Sequence, residues 1–247
     1  MFRKFLSVLG ISVLVVSCHT TQTLTTVQYR DYQIENQSKK DTGLINLLAP
    51  YASRLNSSMN TVIGFASRPM TAKQPESGLG NFMADAMLQM AEEKYGIKID
   101  GAFMNQGGIR SYIPQGNITI GKIFELMPFD NLVVIQKIKG SVLQQFLDKT
   151  AADGGWPVSS GIRLHIKNKK AIDITIQGKP LEPEYIYTIA NSDYVANGGS
   201  DCAMLRGIPQ ISKGYLFRDA LLEFVTEMTK QGKPVDFSIE NRVVNVN

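Results

Sequence analysis

Apolar positions along this chain fall into blocks with two different periods, and the blocks predict its elements. Leu44, Leu47, Leu48, Tyr51 and Leu55 recur at helical spacing, which predicts a helix opening near Asp41 or Thr42, either of which can cap it. Leu79, Met83, Ala86, Met87 and Met90 repeat that pattern over 77–94, with Gly96 placed to stop the helix. A third amphipathic stretch over 215–230 turns Leu216, Ala220, Leu221, Phe224 and Met228 inward, and 141–151 reads as a shorter helix. Strands are expected over 61–66, 99–104, 132–138, 185–190 and 242–246, with a hairpin over 161–176 turning near Asn168-Lys169. Residues 118–127 read as a short strand or turn plus one helical turn. Hairpins mixed with isolated helices argue against a regular βαβ repeat. The expected class is α+β: a single domain over 41–247 with a mixed β-sheet and packed helices.

The first 18 residues have a different character. Arg3 and Lys4 precede an apolar run from Phe5 to Val16 that is too short to suit a spanning helix. The run ends in Val15-Val16-Ser17-Cys18, which resembles the lipobox of bacterial lipoproteins. That resemblance implies acylation of Cys18, which becomes the mature N-terminus, and a lipid anchor in the cell envelope. His19, rather than Asp, at the second mature position favours the outer membrane by resemblance to Gram-negative lipoprotein sorting. Residues 19–40 are rich in Thr, Gln, Ser and charge and read as a tether, with Tyr29, Tyr32 and Ile34 able to dock it locally.

Composition narrows the function classes. The chain of 247 residues is 43% hydrophobic and 19% charged, an ordinary globular balance. Its formal net charge is +4, of which Arg3 and Lys4 fall in the leader. Without a basic run interleaved with aromatics, nucleic acid is not an expected partner. With Cys18 lipidated, the second of two cysteines, Cys202, has no partner and reads as a partly buried small residue rather than a nucleophile.

Four loops carry candidate chemistry. They are Glu76-Ser77-Gly78-Leu79-Gly80-Asn81 with Asp85 a turn on, Asn105-Gln106-Gly107-Gly108-Ile109-Arg110, Met127-Pro128-Phe129, and Asn191 to Gly199. Paired glycines let backbone N–H groups approach an oxygen-rich ligand. Arg110 offers a planar fork for phosphate or hydroxyl oxygens. Phe129 and Tyr194, on different loops, can clamp a flat base. Singly each loop is weak, since a Gly-Gly pair is usually a turn and a lone Phe is usually core.

Together, ESGLGNFMAD, NQGGIR, MPFDN, SGIR and NSDYVANGG resemble the C-terminal domain of the 5′-nucleotidase family, which includes UDP-sugar hydrolases. The resemblance covers residue 41 onward. It implies the fold of that domain and a role in holding the nucleoside part of a substrate. It places Phe129 and Tyr194 as the stacking pair, Tyr standing where Phe is usual. Asn105 and Arg110 fall beside the ribose-phosphate, with Gly107, Gly108, Asn197, Gly198 and Gly199 shaping the loops. Two positions depart from the family. Lys73 stands where an Arg is usual, and Gly-Gly is followed by Ser200-Asp201 rather than Asp-Gly. The family's ribose-binding carboxylate is then replaced by a weaker Ser200 contact or by Asp201 reaching in.

The family's catalytic half holds two metals, which require several His and Asp ligands. This chain has two histidines: His19 in the tether, and His165, expected to face solvent on a strand. No catalytic residue, metal ligand or cofactor is therefore expected here, and divalent metals are expected only on a separate partner. The expected function is the nucleotide- or nucleoside-binding half of a 5′-nucleotidase-type hydrolase, inactive alone and completed by a metallophosphatase-domain partner. The alternative is a stand-alone nucleotide- or nucleoside-binding lipoprotein.

Overall fold

The computed structural model describes Tyr29 and residues 40–246, the side chain of Arg54 excepted. Cys18, His19, Tyr32 and Ile34 lie outside the described residues, and Tyr29 is exposed. The chain divides into two units, Met1–Leu47 and Leu48–Asn247. In the first, Asp41 Oδ1 accepts the Leu44 N–H at 3.0 Å and caps helix α1 (Thr42–Met59), as the sequence predicts. Leu44 and Leu47 are exposed there, and so are Leu48, Tyr51 and Leu55 in the second unit. The helical period is present, but it does not by itself determine what the apolar stripe packs on.

The second unit is built on a mixed sheet in the order β2 (Gly101–Ala102), β8 (Ile186–Ser192), β4 (Leu132–Lys139), β9 (Gln210–Leu216). β2 runs parallel to β8, and the other pairs are antiparallel. The register sets Ile135 opposite Ala190, Gln136 opposite Ile189 and Ile138 opposite Tyr187. Side chains alternate across a strand, so this register assigns each face its core. Val133, Ile135 and Ala190 join a core with α2 (Gly78–Tyr95) and α6 (Phe217–Lys230). Ile138, Tyr187 and Ile189 join a second core with α4 (Gly140–Ala152) and the hairpin β5 (Ile162–Lys167) and β6 (Lys170–Ile176). Both faces of β4 are covered, and its first half reads as a continuous apolar run, Leu132 to Ile135.

Local chemistry sets the boundaries. Ser77 Oγ accepts the Gly80 N–H to open α2, and Gly96, at φ 68°, closes it by donating to Glu92 O. Asn168 and Lys169 carry φ of 49° and 61°, the paired left-handed geometry of a two-residue hairpin turn. β10 (Val243–Asn245) lies parallel to β5 and completes the order β10-β5-β6-β7, with β7 at Lys179–Pro180. β1 (Val62–Ala66) and β3 (Gly116–Thr119) form an antiparallel ribbon, followed by α3 (Ile120–Leu126).

Two expectations need correction. The strand expected over 99–104 shrinks to Gly101–Ala102, because Phe103 makes only an isolated bridge to Val158. The helix expected from 215 begins at Phe217, because Tyr215 and Leu216 end β9. That edge strand is mostly exposed and lacks the alternation that would have marked it.

Candidate functional site

A cavity of about 310 Å³ opens where three loops meet beside the central sheet, lined by Asn105, Gly107, Gly108, Phe129, Asn131, Tyr194 and Ser200. Asn105 opens a tight turn over Gln106–Gly108, its side chain buried and without a hydrogen bond to any described residue. Phe129 and Tyr194 are both part-exposed, so their rings are available to a ligand. A second, shallower cavity shares Asn131 and Tyr194 and adds Asp193, Asn197, Gly198, Gly199 and Arg206.

The tyrosine is held from several sides. It lies on the short helix α5 (Asp193–Ala196), capped by Ser192, whose side chain accepts the Val195 N–H. Its hydroxyl accepts the Ser200 N–H at 3.2 Å. A Cβ placed on Gly199 would lie 2.5 Å from the tyrosine ring, so the ring lies on a glycine that no other residue can replace without movement. Ser200 and Asp201 follow in the left-handed region, at φ 55° and 60°.

The loop beyond is tied to the middle of the sheet by Gln136, a fully buried residue that the apolar periodicity does not single out. Its Nε2 donates to Leu205 O and Ile208 O, and its Oε1 accepts from Asn191 Nδ2. A lone Gln within the apolar run Leu132–Ile138 was the available signal, because a buried amide must find partners. Asn131, in the sequence an unremarkable end to the MPFDN motif, lines both cavities.

Other expected site residues are placed elsewhere. Lys73 is exposed and lines neither cavity. Asp201 lies 3.9 Å from Lys149 Nζ with its side chain exposed, while Ser200 lines the cavity. Arg110 is exposed, donates to Gly107 O, and sits 5.9 Å from the centre of the Phe129 ring. Asn197 accepts from Gln210 and, through its carbonyl, from Arg206 Nε.

The loop Glu76 to Asn81 serves the fold. Buried Glu76 accepts from Asn81 Nδ2 and from the N–H groups of Glu240 and Arg242. Asp85 makes a two-bond pair with Arg242, both contacts at 2.7 Å, and accepts the Ser160 N–H. Burial alone would lower the Arg242 pKa, but bonding to Asp85 and the charge of Glu240 hold it above its ordinary value. Burial also pushes the Cys202 thiol up to about 11, so the residue stays a neutral thiol.

Comparison with known proteins bears on the whole arrangement. The model of the family described as "5′-nucleotidase, C-terminal domain" matches residues 62–207. The chain belongs to this family. A 5′-nucleotidase of Vibrio vulnificus is 26% identical over 213 residues, covering 82% of this chain and 37% of that protein. Protein UshA of Escherichia coli is 24% identical over 223 residues, covering 86% of this chain and 38% of that protein. The solved structure of a 5′-nucleotidase precursor from Thermus thermophilus superposes with a TM-score of 0.71 at 25% identity, covering 82% of this chain and 43% of that one. The chain thus spans less than half the length of these relatives, and the 5′-nucleotidase C-terminal fold accounts for its mixed sheets and packed helices. Among the described residues of this domain, no three His, Cys, Asp or Glu side chains are grouped to hold a metal ion. His165 pairs with Asp173 at 3.0 Å on the exposed hairpin. These residues do not fit a dinuclear metal centre.

Proposed function

We propose that this chain is the nucleoside-binding half of a 5′-nucleotidase-type hydrolase, completed by the metallophosphatase domain of a separate polypeptide. The observation that carries the reading is the convergence of Phe129 and Tyr194 on one cavity with Asn105, Gly107 and Gly108. A base enters between the aromatic faces, and each stacking contact contributes about 1–3 kcal/mol. Neutral amides and backbone groups then orient the rest of the nucleoside. The family supports the nucleotide class of ligand. Divalent metal and hydrolytic chemistry belong to the partner in this reading, and no step is assigned to residues of this chain. Acylation at Cys18 would hold the complex at the cell envelope, on the outer membrane by the His19 reading.

Calorimetric titration of the full chain with AMP, adenosine and UDP-glucose, beside a phosphate-release assay with Mn²⁺, tests the proposal. Binding without phosphate release is the expected result. Phosphate release by the chain alone would sink it. A second reading, a nucleoside-binding lipoprotein with no enzymatic role, draws on the fact that the whole cavity is formed within one chain. Copurification of a stoichiometric metallophosphatase counts against that second reading.

A further inference from the structure

Where the β6–β7 hairpin meets the start of β8, a separate cavity of about 430 Å³ is lined by Lys98, Asp100, Gln177, Lys179, Glu182 and Tyr185. It shares no residue with the two cavities beside Tyr194. Its volume falls in the range of about 300–1,000 Å³ usual for small-molecule sites.

The backbone around this cavity is fixed by bonds within the domain. Tyr187, buried on β8, accepts the Glu182 N–H through its hydroxyl at 2.9 Å. The Gly140 and Ser141 N–H groups donate to Tyr185 O and Pro183 O, each at 2.8 Å, and tie the loop to the start of α4. A Cβ on Gly140 would collide with Glu182 O, so this approach requires glycine. Asp100 is held likewise: its Oδ2 accepts the Thr188 N–H at 2.7 Å, and its carbonyl accepts from Gln177 Nε2 at 3.0 Å.

Several side chains of the wall remain uncommitted. The Tyr185 ring is 54% exposed, and the Tyr187 ring meets it at 4.8 Å and 64°. Neighbouring Glu184 pairs with Lys139 at 2.8 Å, but Lys98, Lys179 and Glu182 enter no salt bridge among the described residues. The lining thus offers two cations, Lys98 and Lys179, and two carboxylates, Asp100 and Glu182. An anion would be opposed by the carboxylates, and a cation by the lysines. A neutral polyol uses both signs, since each hydroxyl donates and accepts and bonds to charged groups are the stronger kind. A pyranose ring adds an apolar C–H face, which matches the exposed face of an aromatic ring.

We propose that this cavity is a carbohydrate site for neutral pyranose units, with Tyr185 as the platform and Lys179 and Glu182 as hydroxyl partners. It works independently of the nucleoside cavity.

The test is calorimetric titration of the full chain with cellobiose, maltose, lactose and N,N′-diacetylchitobiose, beside inorganic phosphate and betaine as anion and zwitterion probes. Saturable binding of at least one disaccharide is expected in the millimolar range, with neither control probe competing. Tyr185→Ala is expected to weaken it about fivefold or more, the scale of one aromatic contact, while Tyr185→Phe keeps it. Lys179→Met and Glu182→Gln are expected to weaken it by a similar factor, and they carry the test if Tyr185→Ala loses its fold by circular dichroism. Adenosine titration of Tyr185→Ala should match native protein. Binding of none of the four disaccharides overturns the proposal, as does sugar binding that the folded variants leave unchanged. Displacement of the sugar by phosphate or betaine would make this an anion or zwitterion site and overturn it equally. Failure of adenosine to bind native protein bears on the nucleoside reading alone.

Discussion

The Asp193 carboxylate accepts the Leu132 N–H at 3.0 Å, joining the loop of Phe129 to the helix of Tyr194. The same oxygen accepts the Tyr194 N–H at 2.9 Å. One side chain thereby fixes both walls of the cavity. Phe129 is secured from its other side as well, since Arg218 donates to Phe129 O and pairs with Asp130 at 2.7 Å. The Asp193→Ala variant leaves two backbone donors without their acceptor, a loss of about 1.5–3 kcal/mol for bonds to a charged group. Urea unfolding is expected to register that loss. Calorimetry is expected to show weaker nucleoside binding although Asp193 does not line the main cavity.

Gly199→Ala tests the seat of the tyrosine. The added methyl would lie 2.5 Å from the ring, so the ring must leave its place. Ligand affinity is expected to fall as far as it does for Tyr194→Ala, by about 1–3 kcal/mol from lost stacking. Circular dichroism should remain that of the native chain, since Gly199 does not carry a positive φ. An unchanged affinity in Gly199→Ala would separate Tyr194 from the ligand.

Much of this fold was legible in the sequence where burial follows a period. The Leu79–Met90 stripe, the Asn168-Lys169 turn and the Gly96 stop all report local physics, and the structure has each. What stayed hidden depends on tertiary partners. β9 is an exposed edge strand, and β2 owes its two residues to pairing with β8. At the site, aromatic and glycine positions stood out because few other residues can do their work. The fates of Glu76 and Asp85 did not, because a carboxylate beside a glycine-rich loop looks the same whether it meets a ligand or a distant strand. Residues 240–242, far off in the chain, turn both inward to the fold.

That structural role predicts a sharp asymmetry. Arg242 is 1% exposed and holds Asp85, Glu240 and Val158 O. Removing one partner of a buried pair leaves an uncompensated charge and costs about 3–5 kcal/mol. Arg242→Ala should lose that much by denaturant unfolding, whereas Arg242→Met combined with Asp85→Leu should recover most of it. Equal losses in the single and double variants would mean that shape, not charge, governs the position.

Cys202 gives the domain a pH dependence whose sign follows from burial. Its side chain is fully buried and its Sγ donates to Ser200 O at 3.6 Å. Burial raises the thiol from 9.0 to about 11, with Lys149 opposing and Asp153 and Asp201 adding to the rise. The folded thiol thus keeps its proton where the unfolded one has lost it. The stabilisation is fully present below pH 9 and is lost as pH rises toward about 11, because the unfolded state then binds fewer protons. Unfolding free energies of native protein and Cys202→Ala, measured by urea from pH 8 to 11, should differ by an amount that changes only across that window. The variant should lose less stability with rising pH. Alkylation of native protein at pH 8 should be slow until denaturant is added, because the thiolate is the reactive form. Fast labelling of folded protein, or parallel pH profiles for the two chains, would place the thiol at the surface and remove its link to the turn that carries Ser200.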